Sequence, residues 1–106
     1  MIPSFTAALL ASVLCVCSLG LHAQTAPARP QFVYVLRVLP AFHTPQAWTD
    51  KENAAVGKHF ERLKMATAQG QVILAGKTAE ALDATFGIVI LEADNEEAAR
   101  QFMQSD

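Results

Sequence analysis

Charged side chains are missing from the N-terminal segment of the chain. The sequence has 106 residues with 8 basic and 10 acidic side chains, and all of these lie beyond residue 28. The run over 5–21 is almost wholly apolar, near the upper length of a secretory signal core and short of the ~20 residues that span a bilayer. We therefore predict a signal peptide over 1–23, cleaved after Ala23, and a Pro- and Ala-rich linker over 24–30. Because no lysine or arginine precedes the run, a buried N-terminal helix and an uncleaved anchor remain alternatives.

Cysteine is absent after position 17. Cys15 and Cys17 both lie in the predicted signal peptide, so the mature chain would have none. This excludes a disulfide framework, a thiolate nucleophile and a cysteine metal site from the mature protein. A lipid anchor is not expected either, because neither cysteine follows the small residue that lipidation signals place there. We expect a periplasmic or secreted protein with no membrane contact after cleavage of the signal.

Other features that carry chemistry are also missing. The net charge is −2, with mixed signs and no basic block, which argues against nucleic-acid binding. The sequence contains no His-x-x-x-His or Glu-x-x-His pair, no glycine-rich phosphate loop and no serine nucleophile elbow. We therefore predict neither a bound metal nor a cofactor.

The remaining chain shows segments in the order strand, helix, strand, strand, helix. Strands are predicted over 31–38, 72–75 and 85–92, and the first and third are apolar on both faces. Thr49 and Glu52 have the spacing of a capping box, which predicts a helix start, and Gly70 predicts its end. A second helix is predicted to start within 94–97. The residues expected on the inward faces of the two helices are Val56, Phe60, Leu63, Ala66 or Thr67, Ala98, Ala99, Phe102 and Met103.

This order is that of an α+β, ferredoxin-like βαββα unit, which one more strand would complete. In such a unit both helices cover one face of the sheet. The opposite face is still apolar here, and a mature chain of this length has no segment left to cover it. A second copy packing sheet on sheet would cover it, so the pattern predicts a homodimer.

The mature chain resembles the YCII-related domain family over nearly its whole length. The matching segments are 32–37 (FVYVLR), 57–63 (GKHFERL), 70–78 (GQVILAGKT), 86–94 (FGIVILEAD), 96–100 (EEAAR) and 102–106 (FMQSD). The resemblance implies a dimeric α/β barrel whose active site pairs His59 on the first helix with Asp106 at the end of the second. Family members continue with a proline and a final strand. We therefore expect a C-terminally truncated YCII-related domain over 31–106, in which one edge of the first strand is unpaired.

Two functions are compatible with the His59–Asp106 pair. An imidazole beside a carboxylate can act as a general acid or base, so the resemblance implies a small cofactor-independent enzyme that moves a proton on a small organic molecule. The alternative is a structural histidine in a non-catalytic dimeric domain that binds a small ligand or has an accessory role.

Four further polar side chains are candidates for the lining of a cavity near the first strand. Tyr34 and Arg37 lie on opposite faces of that strand, so at most one of them can face the helices. For each candidate an ordinary surface or core role is the simpler interpretation. The four are Tyr34, Arg37, His43 and Thr78.

Overall fold

The computed structural model describes residues 26–106, and the predicted signal peptide lies outside them. The fold is α+β, as predicted, and the described elements are β1 (Gln31–Arg37), α1 (Asp50–Ala68), β2 (Val72–Lys77), β3 (Phe86–Glu92) and α2 (Glu96–Gln104). Two short 3-10 turns, Pro40–Phe42 and Pro45–Ala47, shape the loop between β1 and α1.

The three strands form an antiparallel sheet in the order β1-β3-β2. Tyr34 of β1 and Ala75 of β2 both pair with Val89, so β3 is the central strand. The predicted end of β2 at 75 was wrong, because Gly76 and Lys77 continue the ladder with β3. The sheet and its two helices are compatible with a ferredoxin-like unit. Among the described residues, no strand pairs with the outer edge of β1.

Local capping explains where the helices start and end. Thr49 accepts a hydrogen bond from the Lys51 amide at 3.2 Å, and the Thr49 amide donates to the Glu52 carboxylate at 3.0 Å. This is the predicted capping box. Gly70 has a φ of 79°, the left-handed conformation expected after a helix C-terminus. Asn95 caps α2 by accepting from the amide of Ala98 at 2.9 Å.

The core lies between the helices and one face of the sheet. Leu91, Val72 and Val89 are its most completely buried large side chains, and Leu63 and Ala66 of α1 pack against them. Val56 and Phe60 lie on the predicted side of α1, where they line a groove, but they are not buried, because their exposed fractions are 48% and 61%. Only the second half of α1 is buried against the sheet in the described residues. One side of α1, along both halves of the helix, forms the wall of an open groove.

Within residues 26–106, nothing covers the other face of the sheet. Val33 and Val35 of β1 are 60% and 55% exposed, and Leu74 of β2 is 49% exposed. Val33 lies opposite Ile90 and Val35 opposite Ile88, so these side chains form one apolar surface across the strands. Within 26–106, no helix has the length and apolar character needed to cross a membrane.

Candidate functional site

The chain folds so that Asp106 returns to the side of α1. Nδ1 of His59 lies 2.7 Å from Oδ1 of Asp106, although the two residues are 47 positions apart. The Asp106 side chain is only 5% exposed, whereas that of His59 is 33% exposed. The two residues that the family resemblance selected therefore form a hydrogen-bonded pair with its carboxylate buried and its imidazole reachable from solvent.

Tyr34 occupies the second oxygen of the same carboxylate. Its hydroxyl donates a hydrogen bond to Oδ2 of Asp106 at 2.9 Å. Tyr34 lies on the helix-facing side of β1, where it is buried and packs at a tilt on the ring of Phe102. Burial raises the pKa of the Tyr34 hydroxyl well above its ordinary value of 10.0, and the hydrogen bond to Asp106 and the charge of that carboxylate raise it further. Tyr34 therefore stays protonated and acts as a donor.

Arg62 is a member of this cluster that the sequence analysis missed. Its Nη2 donates to the backbone oxygen of Phe102 and to Oγ of Ser105, both at 2.8 Å. Its Nη1 lies 3.5 Å from Oδ1 of Asp106. The sequence does contain a pattern that could have identified Arg62. It follows His59 by three positions, and this spacing places both side chains on one face of a helix.

These contacts determine which nitrogen of His59 carries a proton. An ionised carboxylate only accepts hydrogen bonds, so Nδ1 of His59 must donate to Asp106. In the neutral ring, Nε2 is then the unprotonated nitrogen. Nε2 has no hydrogen-bond partner within the described part of the chain. The arrangement therefore leaves a free, basic nitrogen on a ring whose orientation is set by a buried carboxylate.

His59 lines an open groove of about 1510 Å³ between α1, the loop before it and the sheet. Most of the lining is apolar. The principal side chains on the helix and loop are Val56, Phe60, Leu63, Phe42 and Trp48, and the floor comes from Leu36, Ala75, Gly87 and Val89. A mostly apolar groove with an imidazole at its wall suits a small, largely apolar molecule.

The other predicted cavity residues make local contacts. His43 Nε2 lies 2.9 Å from the backbone oxygen of Val38, and Thr78 hydrogen-bonds Thr85 and the Phe86 amide at the start of β3. Arg37 lies over the ring of Phe86, 5.4 Å from its centroid. None of these three polar groups contacts the His59–Asp106 pair among the described residues.

No group of three or more His, Cys, Asp or Glu side chains within 26–106 is arranged to hold a metal ion. The polar cluster consists of four side chains: His59 and Arg62 from α1, Tyr34 from β1 and Asp106 after α2.

Fold and site together define a small α+β protein with a histidine–aspartate pair beside an apolar groove. The profile of the YCII-related domain matches residues 26–106. The chain belongs to the YCII-related domain family, as the sequence analysis expected. Comparisons with curated proteins and with solved structures gave no significant match.

Proposed function

We propose that this YCII-related protein is a small cofactor-independent enzyme in which His59 moves a proton on a small organic molecule bound in the groove. The observation that carries the proposal is the 2.7 Å contact between His59 Nδ1 and Asp106 Oδ1. It orients the ring and leaves Nε2 as a general base, a role that typically accelerates a reaction by about 10²–10⁴-fold. Asp106 does not transfer the proton itself; it stabilises the imidazolium that forms when Nε2 accepts one.

The composition of the groove supports a substrate with an apolar body. Its walls present aromatic and aliphatic side chains, and His59 places a proton acceptor among them. Low polarity around the reacting atoms strengthens the interaction between a developing anion and the imidazolium. A carbon acid, such as a small ketone, ester or lactone, would leave an enolate that this pair can stabilise.

The proposal includes a homodimer exported to the periplasm or beyond. The exposed valines Val33 and Val35 form an apolar sheet face that a second copy would cover, as the sequence predicts. The uncharged run over 5–21 supports an export signal.

Hydrogen–deuterium exchange into small carbon acids tests the reaction without knowledge of the product. A mixture of ketones, esters and lactones is incubated in heavy water with the full chain, and mass spectrometry records deuterium gained at acidic carbons. The wild type should accelerate exchange of at least one compound. His59→Gln, which keeps a polar side chain but loses the base, should abolish that acceleration.

His43→Gln is the matched control, because His43 contacts the backbone of its own loop and not the pair. It should retain the wild-type rate. NMR measurement of compounds binding to the groove distinguishes the enzyme from the second candidate function, a non-catalytic ligand-binding domain. If compounds bind beside His59 in the wild type but show no deuterium exchange, the proposed enzyme function would be refuted. The protein would then be a ligand-binding domain, a function that the apolar groove also favours.

A further inference from the structure

Arg62 connects the two helices at the point where Asp106 must be held. Its guanidinium lies over the ring of Phe102, 4.1 Å from the centroid. The same group donates to the Phe102 carbonyl and to the hydroxyl of Ser105, each at 2.8 Å. Three contacts from one side chain of α1 therefore fix the last turn of α2, and Asp106 is the next residue after Ser105.

The position of Asp106 needs such support. A carboxylate beyond the C-terminus of a helix faces the negative end of the helix dipole, and its own burial removes the water that would solvate it. The Asp106 side chain is 5% exposed. Arg62 Nη1, at 3.5 Å from Oδ1, supplies the nearest permanent positive charge of the described side chains. Nη1 is itself buried and makes no hydrogen bond in the described structure, so its contact with the carboxylate is an ion pair without a hydrogen bond.

We propose that Arg62 is a positioning residue that holds the Asp106 carboxylate against His59, and thereby sets the tautomer of the His59 ring. The inference deepens the proposed function and rests on it for its catalytic consequence. The geometry requires arginine, because only a planar guanidinium can stack on Phe102 while its nitrogens reach several acceptors in one plane. A lysine ammonium would supply the positive charge but not the planar group with several nitrogen donors. Arg62 acts through Asp106, and its hydrogen bonds and ion pair do not include Nε2 of His59.

The tautomer of His59 is the readout, since a purely structural role for Arg62 would leave it unchanged. Nitrogen-15 NMR distinguishes the protonated ring nitrogen from the unprotonated one, and it is recorded above the ordinary imidazole range of about pH 6.5. In the wild type His59 should carry its proton on Nδ1. In Asp106→Ala, which removes the acceptor, the ring should shift toward the Nε2-protonated form, and Arg62→Met, which keeps an apolar stem over Phe102, should shift it in the same direction.

Arg62→Lys keeps the positive charge and should shift the tautomer in the same direction, which separates geometry from charge. It also serves as the deciding variant if Arg62→Met does not fold. Arg100→Met is the matched control, because Arg100 is an exposed arginine of α2 that pairs with Glu96. It should behave as the wild type.

A folded Arg62→Lys that keeps the proton of His59 on Nδ1, as in the wild type, would overturn the inference. The result does not depend on turnover. If the tautomer shifts in Arg62→Lys but the wild type catalyses no deuterium exchange, the positioning role of Arg62 would be supported and the proposed enzyme function would be refuted.

Discussion

Tyr34 and Asp106 are joined by a hydrogen bond of 2.9 Å across 72 positions of the sequence. The bond links the helix-facing side of β1 to the residue that follows the last turn of α2. Because the phenol occupies Oδ2, the other carboxylate oxygen faces His59 and Arg62. One buried carboxylate thus has a neutral donor on one oxygen and two nitrogen groups beside the other.

The first prediction concerns the ionisation of Tyr34, which is the only tyrosine of the chain. Burial and the Asp106 carboxylate raise the pKa of Tyr34, so the folded wild type should show no phenolate absorbance at about pH 11. Asp106→Asn removes the negative charge and should lower that pKa. Ultraviolet titration reports the phenolate, and circular dichroism at each pH confirms that the protein is folded. Phenolate formation near the ordinary value of 10.0 in the folded wild type would contradict the buried hydrogen bond.

The second prediction is the pH dependence of stability that follows from the same residue. In the unfolded chain Tyr34 ionises near 10.0, whereas in the folded chain its pKa is raised. Above the unfolded value the folded state holds the extra proton, so the free energy of unfolding decreases as pH rises, by at most about 1.4 kcal/mol per pH unit for this group. Below it, the contribution of Tyr34 is fully present.

Tyr34→Phe isolates this contribution from that of the lysines. The variant should lose about 1 kcal/mol at neutral pH through the missing hydrogen bond, but its stability should decline less steeply in alkali. Urea unfolding of both proteins at neutral and alkaline pH measures the difference. Parallel declines in the two proteins would show that Tyr34 ionises alike in the folded and unfolded states.

The third prediction tests the start of α1. Thr49→Ala removes the hydroxyl that accepts from the Lys51 amide and should lower the free energy of unfolding by about 1 kcal/mol. Thr44→Ala is the matched control, because Thr44 precedes a short turn and its side chain makes no capping hydrogen bond. Chemical unfolding measures both variants. Equal losses at the two threonines would show that the capping box contributes nothing specific.

The fourth prediction addresses the proposed dimer. Val35 is 55% exposed on the open face, so Val35→Lys should leave the monomer fold intact and should dissociate the dimer by placing a charge in its interface. Met65→Lys is the control, because Met65 is 61% exposed on α1, away from that face. Sedimentation velocity measures the mass of each. A wild type that sediments as a monomer at micromolar concentration would refute sheet-on-sheet association.

Sequence patterns identified the parts of this protein that depend on near neighbours. Thr49 and Glu52 are three positions apart, the spacing of a capping box, and Gly70 readily adopts the left-handed conformation that follows a helix. Both ends of α1 were therefore predicted correctly. The same reasoning did not predict how much of the inward face of α1 is buried. Helical periodicity gives the side on which Val56 and Phe60 lie, but it does not say how far the sheet extends beneath them.

The family resemblance selected His59 and Asp106, and the tertiary structure decided what surrounds them. The buried donor Tyr34 comes from β1, and Arg62 became recognisable as a partner only once α2 ended beside α1. Capping and periodicity depend on residues a few positions apart, so they can be predicted from short stretches of the sequence. The carboxylate cluster depends instead on the angle and register at which two helices pack on one sheet, and that arrangement is fixed by the core around Leu91 rather than by any local pattern.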